Sequence, residues 1–355
     1  MAKRRGDKID GWFNLDKPVG WGSTQALAKV RRLFGAAKAG HGGTLDPLAS
    51  GVLPIALGEA TKTVQWVMDG AKTYRFTIAF GTATATDDRE GAVVAESAVR
   101  PSDAAVVAAL AGFTGTISQR PPAFSALKID GERAYDLARA GELVALAHRD
   151  VRIEALRLVA RPSADQAELE VACGKGTYVR SLARDIALAV GTVGHVAVLR
   201  RTRCGPFAVA DAIGLEALEA AMAVAPPGVP PGDANSLCEA AGIGHRPALH
   251  GLLRPVATAL DDIPAVALTD QQASRLSGGL ALPMAAILRP AFAPGGPGDP
   301  FSPIGTMSPA EGSAGPATPT VAARSDVVKV MAGDRLVAIA RIDGDWLKPV
   351  RVLNL

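Results

Sequence analysis

AELEVACGKGTYVRSLARDIALAVG, Ala167–Gly191, changes its periodicity in the middle. Leu169, Val171 and Cys173 alternate, as a strand with one buried face requires. The turn Gly174-Lys175-Gly176 follows. Beyond it Val179, Leu182, Ala183, Ile186 and Val190 recur at helical spacing and predict an amphipathic helix. Arg180 and Arg184 stand one turn apart and share a face. A strand, a glycine turn and a helix in one run set the class as mixed α and β.

Reading outward, STQALAKVRRLFG predicts a helix with Ser23 as N-cap, Leu27, Val30 and Phe34 as its apolar stripe and Gly35 as its stop. KTYRFTIAFG alternates as a strand, with Tyr74, Phe76, Ile78 and Phe80 on one face. Near the C-terminus, VVKVMAGDRLVAIARIDGDWLKPVRVL (Val327–Leu353) reads as short strands joined by tight turns. Gly333-Asp334 and Asp343-Gly344 are the turn dipeptides, and Asp343-Gly344 suits a type I′ hairpin. Thr269 and Gln272 have capping-box spacing, with Gly278 as the helix stop. Two Pro/Gly-rich stretches, Val224–Ser236 and Ala291–Pro319, read as flexible insertions. The expected division is therefore a domain over 1–252, carrying the first insertion, and a small, mostly β domain over 253–355, carrying the second.

The chain has 355 residues, too many for one small core, and 48% hydrophobic residues supply packed interiors. Lys plus Arg number 38 against 35 Asp plus Glu, a net charge of +3. Nucleic-acid binding would need local clusters of charge. Cys173, Cys204 and Cys238 are odd in number, far apart and without a C-x-x-C, which argues against a disulfide framework or a zinc site. A reducing, cytoplasmic setting fits them. MAKRRGDKIDG is basic but lacks the apolar core of a signal peptide, and no apolar run is long enough to span a bilayer.

The chemistry centres on GHGGTLDPLASG, Gly40–Gly51. It lacks the G-K-[ST] ending of a P-loop. Asp46 before Pro47 reads either as a turn residue or as a carboxylate on a preset backbone, with Gly42 and Gly43 letting a substrate backbone approach. No second carboxylate lies nearby in sequence, so a paired acid/base site is not evident locally. An isolated carboxylate can be a nucleophile or a lone base. His41 lacks partners at metal-ligand spacing; it reads as a loop residue or as a stacking or hydrogen-bonding group beside a nucleotide. Arg180, at the start of its helix beside Tyr178, reads as a solvated cation or as a partner that holds a carboxylate in its charged form. Tyr74 is a core tyrosine or an aromatic surface under a base. Arg200, Arg201 and Arg203, with Lys29, Arg31, Arg32 and Lys38, form two basic stretches, solvated faces or contacts to a polyanion.

Five ordered blocks carry these residues: GWFNLDKPVGWGSTQAL, KAGHGGTLDPLASGVLPIALGEATK, KTYRFTIAFGTATATDDREG, QRPPAFSALKIDGERAYDLAR, and CGKGTYVRSLARDIALAVG with HVAVLRRTRCGPF. Together they resemble the bacterial tRNA pseudouridine-55 synthases of the TruB family, over Gly11 to Phe207. The tail resembles the PUA-like domain of the same family.

The resemblance implies an α+β pseudouridine synthase fold. Its central sheet would be mixed and largely antiparallel, flanked by helices and loops, with a mostly β, PUA-like RNA-binding domain after it. It implies isomerisation of a T-arm uridine of tRNA, with base flipping and a C–N to C–C glycosidic rearrangement, using neither metal nor organic cofactor. Asp46 would be the catalytic group, Arg180 its partner, and Tyr74 a stacking group that assists proton removal. His41, Tyr178, Leu199 and Asp88 would contact substrate. A monomer without membrane or obligate protein partner is expected. Ala85 and Phe124 depart from the family pattern, which often has an acid and a Tyr there. Two other readings remain, a tRNA-binding or folding module and a guide-RNA-dependent pseudouridylase of the related archaeal and eukaryotic type.

Overall fold

The computed structural model describes residues 6–124, 128–129, 132–133, 146–223, 247–287 and 326–355. The two Pro/Gly-rich stretches, Cys238 and most of the QRPPAFSALKIDGERAYDLAR block lie outside the described residues. The chain divides into two units, Met1–Asp261 and Asp262–Leu355.

The strands of the first unit, in chain order, are β1 (Gly11–Lys17), β2 (Ala39–His41), β3 (Ala49–Leu57), β4 (Lys72–Phe80), β5 (Thr82–Thr84), β6 (Val93–Glu96), β7 (Gly115–Gln119), β8 (Lys128–Ile129), β9 (Glu132–Arg133), β10 (Arg149–Ser163), β11 (Gln166–Cys173), β12 (Gly194–Cys204), β13 (Phe207–Ala208) and β14 (Ile213–Gly214). Its helices include α1 (Ser23–Phe34), α2 (Val64–Asp69), α3 (Asp103–Leu110) and α4 (Val179–Ala189).

The main sheet runs β14-β1-β3-β12-β4-β11-β10-β7, with β2 beside β3 and β13 beside β12. The β14–β1 and β3–β12 pairs are parallel; the other neighbours are antiparallel. The class is therefore α+β, with a mixed, largely antiparallel sheet, as the sequence led one to expect.

The opening stretch folds as its periodicity predicts. Leu169, Val171 and Cys173 are buried from β11, and Val179, Leu182, Ala183 and Ile186 from α4. They join Val30 and Phe34 of α1 and Phe76, Ile78 and Phe80 of β4 in one core. Gly35 ends α1 in the left-handed region (φ 72°), where a residue without Cβ is unstrained.

Ser23 does not cap α1. Gly22 is the N-cap, and the Ser23 hydroxyl turns away to the backbone of Leu45. The first unit also runs past the expected boundary at 252/253. Arg254 exchanges two 2.8 Å backbone hydrogen bonds with Trp12 of β1, which ties residues 253–261 to the first unit.

The second unit builds a sheet β15-β17-β18-β19-β16 from Ala265–Ala267, Val327–Ala332, Arg335–Asp343, Trp346–Val352 and Leu282–Pro283. Its longer described helix, Asp270–Ser277, carries the expected Thr269/Gln272 capping box and stops at Gly278. The β18–β19 turn is not type I′. Asp343 pairs with Trp346, so the turn residues are Gly344-Asp345, and only the glycine has positive φ. That glycine-first order belongs to type II′.

Candidate active site

Asp46 opens a tight turn. Its carbonyl accepts from the Ala49 N–H at 3.1 Å, and Pro47 holds the second turn position, where its fixed φ is preset. Leu45 and Leu48 on either side are buried in the core. The Asp46 carboxylate is left 38% exposed at the mouth of a cavity of about 310 Å³.

Two glycines of this motif are required by the loop's own packing, Gly42 and Gly51, while Gly43 lines the cavity. A Cβ on Gly42 would meet Val67 at 2.6 Å. Gly43 has φ +127°. Gly51 has φ +102°, and a Cβ there would fall 2.2 Å from the Arg201 carbonyl oxygen.

Arg180 reaches the cavity from the first turn of α4. One guanidinium nitrogen lies 2.9 Å from Asp46 Oδ2 and donates to the Phe124 carbonyl at 2.9 Å. The other donates to the Thr86 carbonyl at 3.0 Å and lies 3.5 Å from Asp88 Oδ2. Arg180 is 7% exposed, so it is a buried cation held by two backbone carbonyls and paired by charge with two carboxylates, not a solvated one. Its contact with Phe124 uses a backbone carbonyl, so Phe in place of Tyr leaves that contact intact. Ala85 likewise contributes its N–H, to Ala92.

Tyr74, Tyr178, Leu199, Lys72 and Arg201 also line the cavity. Leu199 of β12 stands in register between Ala49 of β3 and Phe76 of β4. Burial pushes the Tyr74 hydroxyl up to about 12, against the nearby Arg201 cation that pulls it down. Tyr74 is thus a neutral phenol at physiological pH, able to stack and to donate a hydrogen bond. The Gln119 side chain pins Tyr178: its Oε1 accepts from the Tyr178 N–H at 2.8 Å and its Nε2 donates to the Tyr178 carbonyl at 3.2 Å. Lys72, its ammonium disfavoured by burial, donates to the carbonyls of Val67, Met68 and Gly70 and so finishes α2.

Asp88 and His41 do not line the cavity. Asp88 is buried behind Arg180, where it accepts from the Thr86 hydroxyl at 2.5 Å and the Glu90 N–H at 3.0 Å. Asp88, expected as a substrate contact, is placed away from the cavity lining and beside Arg180. His41 ends β2, two residues before the cavity wall at Gly43. Burial, then the Arg201 cation, lowers its imidazole below the usual value and favours the neutral ring.

The basic run on β12 does not form one exposed surface. Arg201 is 1% exposed and donates to the carbonyls of Val52 (2.7 Å), Gly43 (3.0 Å) and Thr44 (3.3 Å), so it clamps the motif that carries Asp46. Arg200 makes a two-bond pair with Asp16 at 2.7 and 3.0 Å. Of the three, only Arg203 is exposed. On α1, Lys29 pairs with Glu219 while Arg31 and Arg32 face outward, and Lys38, just before β2, is exposed as well. Strand alternation held the signal for Arg201, which shares the inward phase of Leu199. Gln119 carried none. Among the described residues no group of His, Cys, Asp and Glu is arranged to hold a metal ion, and no helix is long and apolar enough to cross a membrane.

This geometry has close relatives. The model of the TruB family pseudouridylate synthase (N terminal domain) matches residues 31–179, and that of the tRNA pseudouridylate synthase B C-terminal domain matches residues 180–261. The chain is 47% identical to a tRNA pseudouridine synthase B of Gluconacetobacter diazotrophicus, over 99% of this chain and 100% of that protein. It is 48% identical to one of Caulobacter vibrioides over the whole of both. Among solved structures it resembles a chain of a Cbf5-Nop10-Gar1 complex (TM-score 0.65, 24% identity, 97% of this chain and 85% of that one). It also resembles one of an H/ACA RNP bound to a substrate RNA containing 2'-deoxyuridine (TM-score 0.64, 22% identity, 100% and 92%). Those two likenesses speak to the fold. The full-length identities and the two matched domains speak to the family: the chain belongs to the TruB pseudouridylate synthases and is an isomerase.

Proposed function

We propose that the protein is a tRNA pseudouridine-55 synthase acting on the T-arm uridine. The observation that carries this reading is the cavity that brings Asp46, Arg180, Tyr74, Tyr178 and Leu199 together. The full-length relatives named tRNA pseudouridine synthase B support tRNA as the substrate.

In this reading the target uridine leaves its loop, at a cost of about a few kcal/mol. Tyr74 and Leu199 receive the base, and Tyr178 contacts it from the start of α4. His41, beside the cavity, helps fill the gap left in the RNA. Asp46 is the sole acid among the described cavity-lining residues, and it serves as the nucleophile or base of the rearrangement. The N1–C1′ bond breaks, the uracil turns, and C5–C1′ forms; the proton leaves C5 and N1 ends protonated. The reaction is redox-neutral. Arg180, itself buried, orients Asp46 and balances its charge. Exposed Arg32, Lys38 and Arg203 are available to tRNA phosphates. The second unit serves as a PUA-like RNA-binding domain.

The test is to incubate pure protein with bare tRNA transcript and map pseudouridine. Conversion at the T-arm uridine without guide RNA or added protein is expected. Asp46→Asn should abolish conversion while binding tRNA within about threefold of the wild type. Conversion by that variant would sink the role of Asp46, and conversion only at another position would sink the site assignment.

A further inference from the structure

Two segments far apart in sequence meet around Asp46. The loop between β1 and α1, residues 18–22, and the first residue of α1 lie against the turn that carries the carboxylate. The Gly20 N–H donates to the Pro47 carbonyl at 2.8 Å, on the C-terminal side of Asp46. On its N-terminal side the Ser23 hydroxyl donates to the Leu45 carbonyl and accepts from the Leu45 N–H, both at 2.7 Å. Ser23 and Leu45 are both buried, so no solvent competes for these bonds.

We propose that Ser23 is a positioning residue for Asp46: its hydroxyl fixes the peptide groups of Leu45 and thereby the direction in which the next residue presents its carboxylate. This rests on Asp46 as the reacting group.

Three observations carry it. A hydroxyl has one proton to give and two lone pairs, and here one donor and one acceptor site go to the two backbone polar groups of a single residue. The helix itself gives up this group, since α1 has no side-chain cap although a serine stands at its start. The loop bearing Ser23 is in turn held by Lys17, fully buried, whose ammonium donates to the carbonyls of Pro18 (3.0 Å) and Trp21 (2.7 Å). The anchor is therefore itself anchored, as a pre-organised site requires.

The experiment uses full-length wild-type, Ser23→Ala and Ser23→Thr proteins on tRNA transcript tritiated at uridine C5, with tritium release as the readout, and amide hydrogen exchange measured on the free proteins. Ser23→Ala is expected to lower kcat about 10- to 100-fold, the scale of a small displacement of a reacting group, with KM within twofold. Exchange at Leu45 should rise while β3 and β12 keep their protection. Ser23→Thr, which keeps the hydroxyl, should stay within about threefold of wild type. The proposal is overturned if Ser23→Ala keeps kcat within threefold, if KM rises in step with the loss, if Ser23→Thr is no better than Ser23→Ala, or if protection falls across the whole sheet. A wild type inert on tRNA would refute the substrate reading instead, and the exchange at Leu45 would still decide the anchoring role.

Discussion

Arg180 lies 2.9 Å from Asp46 and 3.5 Å from Asp88, so one buried guanidinium stands between an acid at the cavity and an acid behind it. The two acids differ in surroundings. Asp46 is partly open to a ligand, whereas Asp88 is closed in by Thr86 and Glu90. The arrangement lets Arg180 hold its place through the inner acid while it faces the outer one.

Replacing Arg180 by Ala should therefore harm both turnover and fold. The Asp88 carboxylate would be left buried without its cation, a defect of about 3–5 kcal/mol. Turnover should fall at least 100-fold. Arg180→Lys should keep a charge but not the four-way geometry, because an ammonium is a point donor and not a planar fork. It is expected to recover more stability than activity. Urea midpoints and single-turnover rates check this, and a lysine variant with wild-type rates would refute the role of the fork.

The glycines of GHGGTLDPLASG should differ sharply among themselves. Gly51→Ala puts a Cβ against the Arg201 backbone at a φ that side chains rarely adopt. Strain and overpacking together should cost about 3 kcal/mol or more. Gly40→Ala meets only Val64 and Thr61 at 3.6 and 3.9 Å, ordinary contact distances, and should shift stability by less than about 1 kcal/mol. Denaturant unfolding of the pair is the measurement; equal effects would mean that the motif's glycines are not individually constrained.

What could be read from sequence follows from where the signal lies. Periodicity is local, so β4, β11, α1 and α4 were legible from their apolar spacing alone. Asp46, Tyr74, Tyr178, Arg180 and Leu199 were legible through the ordered blocks, and the fold gathers them at one cavity. Supports are long-range and left little trace. Gln119 grips Tyr178 from the end of β7, and nothing local marks it. Ser23 looked like a cap because serine is a common cap; its choice of Leu45 over its own helix depends on a loop that tertiary packing brings near. Arg201 was misjudged for a related reason. Adjacent cations look like one surface in a linear reading, but on a strand alternate residues face opposite ways, and Arg201 faces inward.

The alkaline limb of stability should carry the signature of Tyr74. Its folded value near 12 lies above the unfolded 10, so the native state keeps a proton that the unfolded chain loses. Stability contributed by this group is complete below about pH 10 and is lost as pH rises toward 12. Cys173, raised by burial from 9 to about 11, loses stability in the same direction over pH 9 to 11. Lys17, lowered by burial from 10.5 to about 8, acts oppositely, its penalty lifting between pH 8 and 10.5. The wild-type curve mixes these three with Lys72, likewise lowered by burial, so the useful quantity is the difference from Tyr74→Phe. Between pH 9 and 11 the wild type should lose about 1 kcal/mol more than this variant. Urea titrations at the two pH values measure it, and parallel losses would show that Tyr74 titrates normally.

Removing the second unit should separate binding from chemistry. The described residues that line the cavity run from Gly43 to Arg201, all within the unit that ends at Asp261. The two units have separate apolar cores, the second built from residues such as Leu276, Val330 and Ala338. A chain ending at Asp261 therefore keeps its complete catalytic set. If the second unit holds RNA, the truncated protein should show KM raised at least tenfold and kcat within about threefold at saturating tRNA. Its affinity should also depend less steeply on salt, because fewer phosphates are neutralised. Filter binding at several salt concentrations, beside steady-state kinetics, checks each part. An unchanged KM with an unchanged salt slope would remove the second unit from RNA binding and leave recognition to the catalytic unit alone.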